Sequence, residues 1–111
     1  MLVLFDNGTP RNLARYLIDR HTVTEARARA WSELENGELL AAAEAAGFEV
    51  IVTTDRNLRY QQNLTGRRIA VVALGKGRWT LIKPHVAEVV AAVNAATAGS
   101  YFEVEIPDER T

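Results

Sequence analysis

Cysteine is absent from all 111 residues. No disulfide or thiolate-held metal is therefore available, and a reducing compartment suits the chain. An excess of one charge is also lacking: 13 Lys and Arg against 14 Asp and Glu leave a net charge of −1. No global basic field argues for tight nucleic-acid binding, which leaves only a local basic patch to consider. Long hydrophobic runs are missing too, since none approaches the ~18 apolar residues of a membrane span. The opening "MLVLFDNGTP" reaches an acid at position 6 with no basic region or long apolar stretch behind it. It is expected to be a strand, not a signal peptide, in a cytoplasmic domain without membrane contact. Histidine is scarce: His21 and His85 stand far apart with no acid at metal-binding spacing, so both are expected at surface or structural positions.

What is present is 48% hydrophobic content, enough for one core and too little chain for two ordinary domains. A single domain over 1–106 with a polar tail, 107–111, is the expected organisation. "LVLF" (2–5), "FEVIVTT" (48–54) and "RIAVVAL" (68–74) are continuous apolar runs, the mark of strands buried on both faces. "HTVTEA" (21–26) is a weaker strand. Between these lie helical patterns. Thr9 is expected as a cap with Pro10 at the first helical position, followed by Leu13, Tyr16 and Leu17. Asn36 is expected to cap "GELLAAAEAA", which Gly47 stops. Pro84 is expected to open a helix whose stripe is Val86, Val89, Val90 and Val93. "YFEVEI" (101–106) alternates like an exposed or antiparallel edge strand. The alternation predicts a three-layer α/β/α fold with a mainly parallel sheet in the order 2-1-3-4, plus a possible C-terminal edge strand.

In such sheets ligands bind at the carboxyl ends of the strands, where the winding reverses. Asp6 ends the first strand and Asp55 the third, and neighbouring strands ~4.8 Å apart would bring the two carboxylates to one edge. Paired acids without Cys or clustered His suit a hard ion, Mg²⁺ or Mn²⁺, held through oxygen. Arg11, Arg56 and Arg59 would then face phosphate, and Asn57, Gln61 and Gln62 sugar or base edges. Asp in these positions also commonly caps the loop or helix that follows it. Both roles remain open for the two residues. Trp31 and Trp79, in irregular segments, are expected to close core edges. "GKG" (75–77) is no Walker motif, because the first Gly and the Ser/Thr of GxxxxGK[ST] are missing.

"LFDNGTPRNLARYL" followed by "NGELLAAAEAAGFEVIVTTDRNL" resembles the compact PIN-like domains, relatives of the ribonucleases that act as toxins in bacterial toxin–antitoxin operons. The resemblance covers roughly residues 2 to 75. It rests on the Asp after strand one with Pro and a basic residue following, and on the Thr-x-Asp segment after an alanine-rich helix. It implies metal-dependent RNA cleavage, with Asp6 and Asp55 as ligands of Mg²⁺ or Mn²⁺ and an antitoxin protein as partner. The family acid that opens the second helix falls on Asn36 here, with Glu35 the nearest carboxylate able to substitute. A further family acid falls on Asn57. Asp6, Asp55, Glu35 and Asn36 are thus the expected catalytic set, and Arg11, Arg56, Asn57 and Gln61 the expected substrate contacts. A degenerate domain that binds RNA or protein without cutting is the alternative.

Receiver domains share acids at the ends of strands one and three. They also require an acid pair after strand one and a Ser/Thr ending strand four, where this chain has Asp6-Asn7 and "VAL". Two further expectations concern neighbouring segments. Residues 56 to 64 should form a short helix or turn beside Asp55. The strand at 101–106 should pack into a homodimer, receive an antitoxin segment, or fold back on its own sheet.

Overall fold

Three short apolar runs and two mixed ones line up as a single sheet in the computed structural model, which describes residues 1–34, 36–55 and 66–107. The strands are β1 (Leu2–Phe5), β2 (Thr22–Glu25), β3 (Val50–Thr53), β4 (Ala70–Ala73) and β5 (Tyr101–Glu103). Their order is β2-β1-β3-β4-β5 and every pair is parallel. β3 and β4 are buried at every residue, as the lack of polar alternation in their sequences requires.

Because side chains alternate along a strand, each inner strand feeds two cores. Val3, Phe5, Val50, Val52, Ala70 and Val72 point to one face, where they meet Leu13, Leu17, Ile82, Val89 and Val93. Leu4, Ile51 and Val71 point to the other, where they meet Leu39, Leu40, Ala43 and Phe48. Helices therefore cover both faces, giving three layers. On the first face lie a 3-10 segment (Arg11–Tyr16), α2 (Trp79–Ile82) and α3 (Val86–Ala95). On the second lies α1 (Asn36–Ala45), entered through a 3-10 turn at Ala26–Arg29. Among the described residues no helix is long and apolar enough to cross a membrane.

Local chemistry explains most of these boundaries. Gly47, at φ +90°, stops α1 in a Schellman motif: its N–H reaches Glu44 O (3.1 Å) and that of Phe48 reaches Ala43 O (2.9 Å). Val89 and Val93 are buried, and Val86 and Val90 pack beside them.

Other expectations are corrected. The segment after Pro10 is 3-10 and ends at Tyr16, and of the three expected apolar positions only Leu13 and Leu17 are buried. Tyr16 is 40% exposed and stacks on Trp79 at 5.9 Å between ring centroids. Thr9 does not cap this segment, since its hydroxyl is used elsewhere. Trp79 is not in an irregular stretch but starts α2, and Pro84 sits in the 3-10 turn (Lys83–His85) that joins α2 to α3. β5 is a parallel edge strand, not an antiparallel one, because α2 and α3 return the chain to the amino end of the sheet before it pairs.

The winding carries an inconsistency of hand. β1 to β2 moves toward one edge over the first face, and β2 to β3 moves back over the second, which is the same hand. β4 to β5 moves away from β2 over the first face, so this crossover has the opposite hand. Such reversals are rare. A six-residue 3-10 segment cannot by itself cover Val3, Phe5, Val50 and Val52, and α3 supplies the missing cover.

Glu44 ties α1 to the segment entering β4. Its carboxylate accepts hydrogen bonds from Arg67 Nη1 (2.7 Å) and from the backbone N–H groups of Arg68 (2.6 Å) and Ile69 (3.2 Å). Burial pushes this carboxyl up, but the Arg67 hydrogen bond, the two amides and the Arg67 charge together hold it below its usual value. A group lowered on folding stabilises the native state above its unfolded pKa, and the effect is lost as pH falls through the folded value. Glu44→Gln should therefore lower the melting temperature at pH 7 by about 4–8 °C, equivalent to about 1 kcal/mol. The gap to wild type should close on acidification below pH ~4, which melting curves from pH 7 to 3 will show.

Candidate active site at the carboxyl edge

The reversal in strand order falls between β1 and β3, and in sheets of this kind the crevice that takes a ligand lies at the carboxyl ends of those strands. Asp6 follows the last residue of β1 and continues its ladder, with its N–H donating to Val52 O (3.1 Å). Its side chain stands at the level of Thr53. Oδ1 accepts the Gly8 N–H (3.1 Å) and the Thr9 hydroxyl (2.8 Å). Oδ2 accepts the Thr53 hydroxyl. Thr9 Oγ1 also lies 2.8 Å from Val52 O, so its single proton is shared between two acceptors. Thr53 is only 3% exposed, and its oxygen in turn accepts the Asp55 N–H (3.1 Å). One buried hydroxyl thus links the Asp6 carboxylate to the Asp55 backbone.

Each expected site residue can now be placed. Asp6 and Asp55 follow neighbouring strands, and the Thr53 hydroxyl joins the Asp6 carboxylate to the Asp55 backbone N–H. Asn36 is the first residue of α1, which precedes β3. The loop leading to it is held to the β1 loop by Asn7 Nδ2 donating to Ser32 O (2.7 Å). Arg11 is 76% exposed and pairs with Glu25 at 3.1 Å, and Arg27 approaches the other Glu25 oxygen at 3.5 Å. Glu25 ends β2 opposite Phe5 and was not singled out in the sequence. Glu35, Arg56, Asn57 and Gln61, with the expected helix or turn at 56–64, lie outside the described residues.

The histidines fall outside this crevice. His21 Nε2 is 2.6 Å from Asn94 Oδ1, and His85 Nδ1 is 3.1 Å from Glu88. Trp31 closes the second core against Phe48 at 6.1 Å, with the Arg29 guanidinium 4.8 Å above its ring.

The donor set is oxygen throughout, which fits a hard divalent cation. Of the roughly four lone-pair positions of an ionised carboxylate, Asp6 has three engaged, and the remaining one on Oδ2 is available to such an ion. Among the described residues no three His, Asp or Glu side chains converge as a metal cluster. Compared with protein-family models, curated proteins and solved structures, the chain matches none.

Glycine makes the crevice possible. A Cβ at Gly8 would lie 2.5 Å from Thr54 Oγ1, so the β1 and β3 loops touch only because that atom is missing. Gly8→Ala should therefore destabilise the protein, and Thr54→Ala should relieve most of the cost. A double-mutant cycle by thermal melts should give a coupling of about 0.5–3 kcal/mol. Thr53→Val, which removes a donor to Asp6 and the acceptor of the Asp55 N–H, should cost about 1–3 kcal/mol, with Thr53→Ser recovering most of it. A valine variant melting with the wild type would contradict this hydrogen-bond assignment.

Proposed function

We propose that this chain is a PIN-like, metal-dependent ribonuclease and the toxin of a toxin–antitoxin pair. The observation that carries the reading is the Asp6 carboxylate held at the switch point by Gly8, Thr9 and Thr53, with Asp55 bonded to the same Thr53 hydroxyl. An acid used only to cap its own loop would need Gly8 and Thr9. The third donor comes from a neighbouring strand and fixes the carboxylate relative to Asp55.

In this reading Asp6 and Asp55 hold Mg²⁺ or Mn²⁺. When bound, that ion would polarise a phosphodiester and lower the pKa of a coordinated water. The chain's own residues orient the reaction. Thr9 and Thr53 keep the Asp6 oxygens from rotating, and the glycine contact at position 8 holds the β1 and β3 loops together. RNA is the proposed substrate and an antitoxin protein the proposed partner. A homodimer through the β5 edge, where Phe102 is 40% exposed, is part of the same proposal.

One observation favours a second reading, a PIN-like module that binds RNA or protein without cutting. Three of the Asp6 lone-pair positions are already used, and only two acids, Asp6 and Asp55, are described at the crevice. A site with so little charge holds a divalent ion weakly.

Thermal shift in Mn²⁺ decides between the two, because a ligand that binds only the native state adds RT ln(1 + [L]/Kd), about 2.7 kcal/mol at one hundred times Kd. A nuclease should show a rising melting temperature through millimolar Mn²⁺ and should cut total cellular RNA. Asp55→Asn should abolish both, since an Asn caps a loop as well as Asp but brings no charge. An unchanged metal response in Asp55→Asn would refute the shared-ion reading.

A further inference from the structure

On its first face the sheet is wider than the helices that cover it. The β4–β5 ladder continues to Val104, whose N–H donates to Ala73 O at 2.9 Å. Val104 turns into the first core, and Phe102, two positions earlier, points to the same face. α3 shelters Val104, which is 8% exposed, but leaves Phe102 at 40%. Between α3 and β5 runs a groove of about 440 Å³, with Ala91, Ala92 and Ala95 on one side and Phe102 and Val104 on the other. Because α3 joins two parallel strands, it runs antiparallel to them. Glu88, in its first turn, and Glu105, beyond β5, therefore line the carboxyl end of the groove, and Ala95 lies toward the amino end. No Lys or Arg lines it.

We propose that this groove docks an amphipathic helix of a partner protein, with an apolar stripe against Ala91, Ala95 and Phe102 and a Lys or Arg at one end facing Glu88 and Glu105. The floor is a sheet face beside a helix, which is where a layered fold places its next helix. Alanines on α3 let a second helix approach to the ~8–10 Å at which helices pack. An extended segment would gain no backbone ladder there, because the open edge of β5 lies in the plane of the sheet and the groove lies on its face. Charge selects a basic occupant. The His85 contact uses only one Glu88 oxygen, at 3.1 Å, and Glu105 is exposed. A second copy is poorly matched to the groove, since a two-fold contact there would set the same acids of both chains against one another. Neither RNA nor metal enters this proposal, which holds independently of the ribonuclease reading.

The test is a display selection of randomised peptides of about 14 residues, roughly four helical turns, on the wild-type protein, followed by fluorescence anisotropy with the tightest binder. Enriched sequences should carry apolar residues at i, i+3, i+4 and i+7, with Lys or Arg at one end. Replacing both Glu88→Gln and Glu105→Gln should weaken binding about tenfold, as two exposed ion pairs are lost. Ala95→Arg fills the apolar end from an exposed position at a helix C-terminus, where a cation is tolerated. It should melt with the wild type and bind at least about tenfold more weakly. A selection without binders, binders that lack basic residues, or affinity unchanged in either variant overturns the proposal. Light scattering that shows a wild-type dimer and an Ala95→Arg monomer also overturns it, by assigning the groove to a second copy.

Discussion

The carboxylate of Asp6 is the point on which the carboxyl edge is organised. β1 is the strand from which the chain departs in both directions, so its end is where the sheet opens. A charged group there is half-removed from water and has to be met by donors. The donors come from two strands and one loop: Gly8 and Thr9 from the turn after β1, Thr53 from β3. A ladder bond from the Asp6 N–H to Val52 O fixes the backbone beneath them. The result is a carboxylate whose two oxygens are held in one orientation by three donors.

Around that anion, packing is set by what is missing. Gly8 and Gly77 bring three loops, those after β1, β3 and β4, within van der Waals contact of one another. Charged side chains farther out settle into surface pairs, as Arg11 and Arg27 do with Glu25. Such pairs contribute little stability, but one of them engages Arg11, a cation the sequence offers for phosphate. At the opposite edge the Glu44–Arg67 bond closes the way into β4. The two edges thus differ in kind, one closed by an ion pair and one kept open around an acid.

Much of the fold was legible because it depends on local pattern. The unbroken apolar runs of β1, β3 and β4 left no exposed face, and Gly47 stood where only a left-handed residue completes a helix end. The 2-1-3-4 order then placed Asp6 and Asp55, which follow β1 and β3, at neighbouring strand ends. What was not legible depends on partners far along the chain. Thr9 looks like a helix cap until Val52, 43 residues away, is placed beside it. Thr53 looks like one more buried strand residue until it meets Asp6, 47 residues away. Glu25 gave no signal because its importance lies in whom it neutralises. The "GKG" turn has no motif to mark it, and its approach to the β1 loop emerges only from the packing of Gly77 on Gly8. Alternation in "YFEVEI" reports exposure, which β5 has at the sheet edge, and carries no information on direction, which is parallel.

The reversed hand of the last crossover bears on the order in which the molecule comes together. α3 lies on a surface made by β1, β3, β4 and the segment 11–16, and the His21–Asn94 contact joins residues 73 apart in the chain. That surface has to exist before α3 can dock, and β5 can pair with β4 only once α3 has returned the chain. Contacts of such long sequence separation form late, because loop closure opposes them until much of the fold is present. The α3–β5 unit is accordingly expected to be the last piece added, and only its docking completes the core around Val3, Phe5, Val50 and Val52. Only β5 lies at the edge opposite β2, with β4 between it and β3, so the late-forming piece reaches across the sheet from that edge to His21.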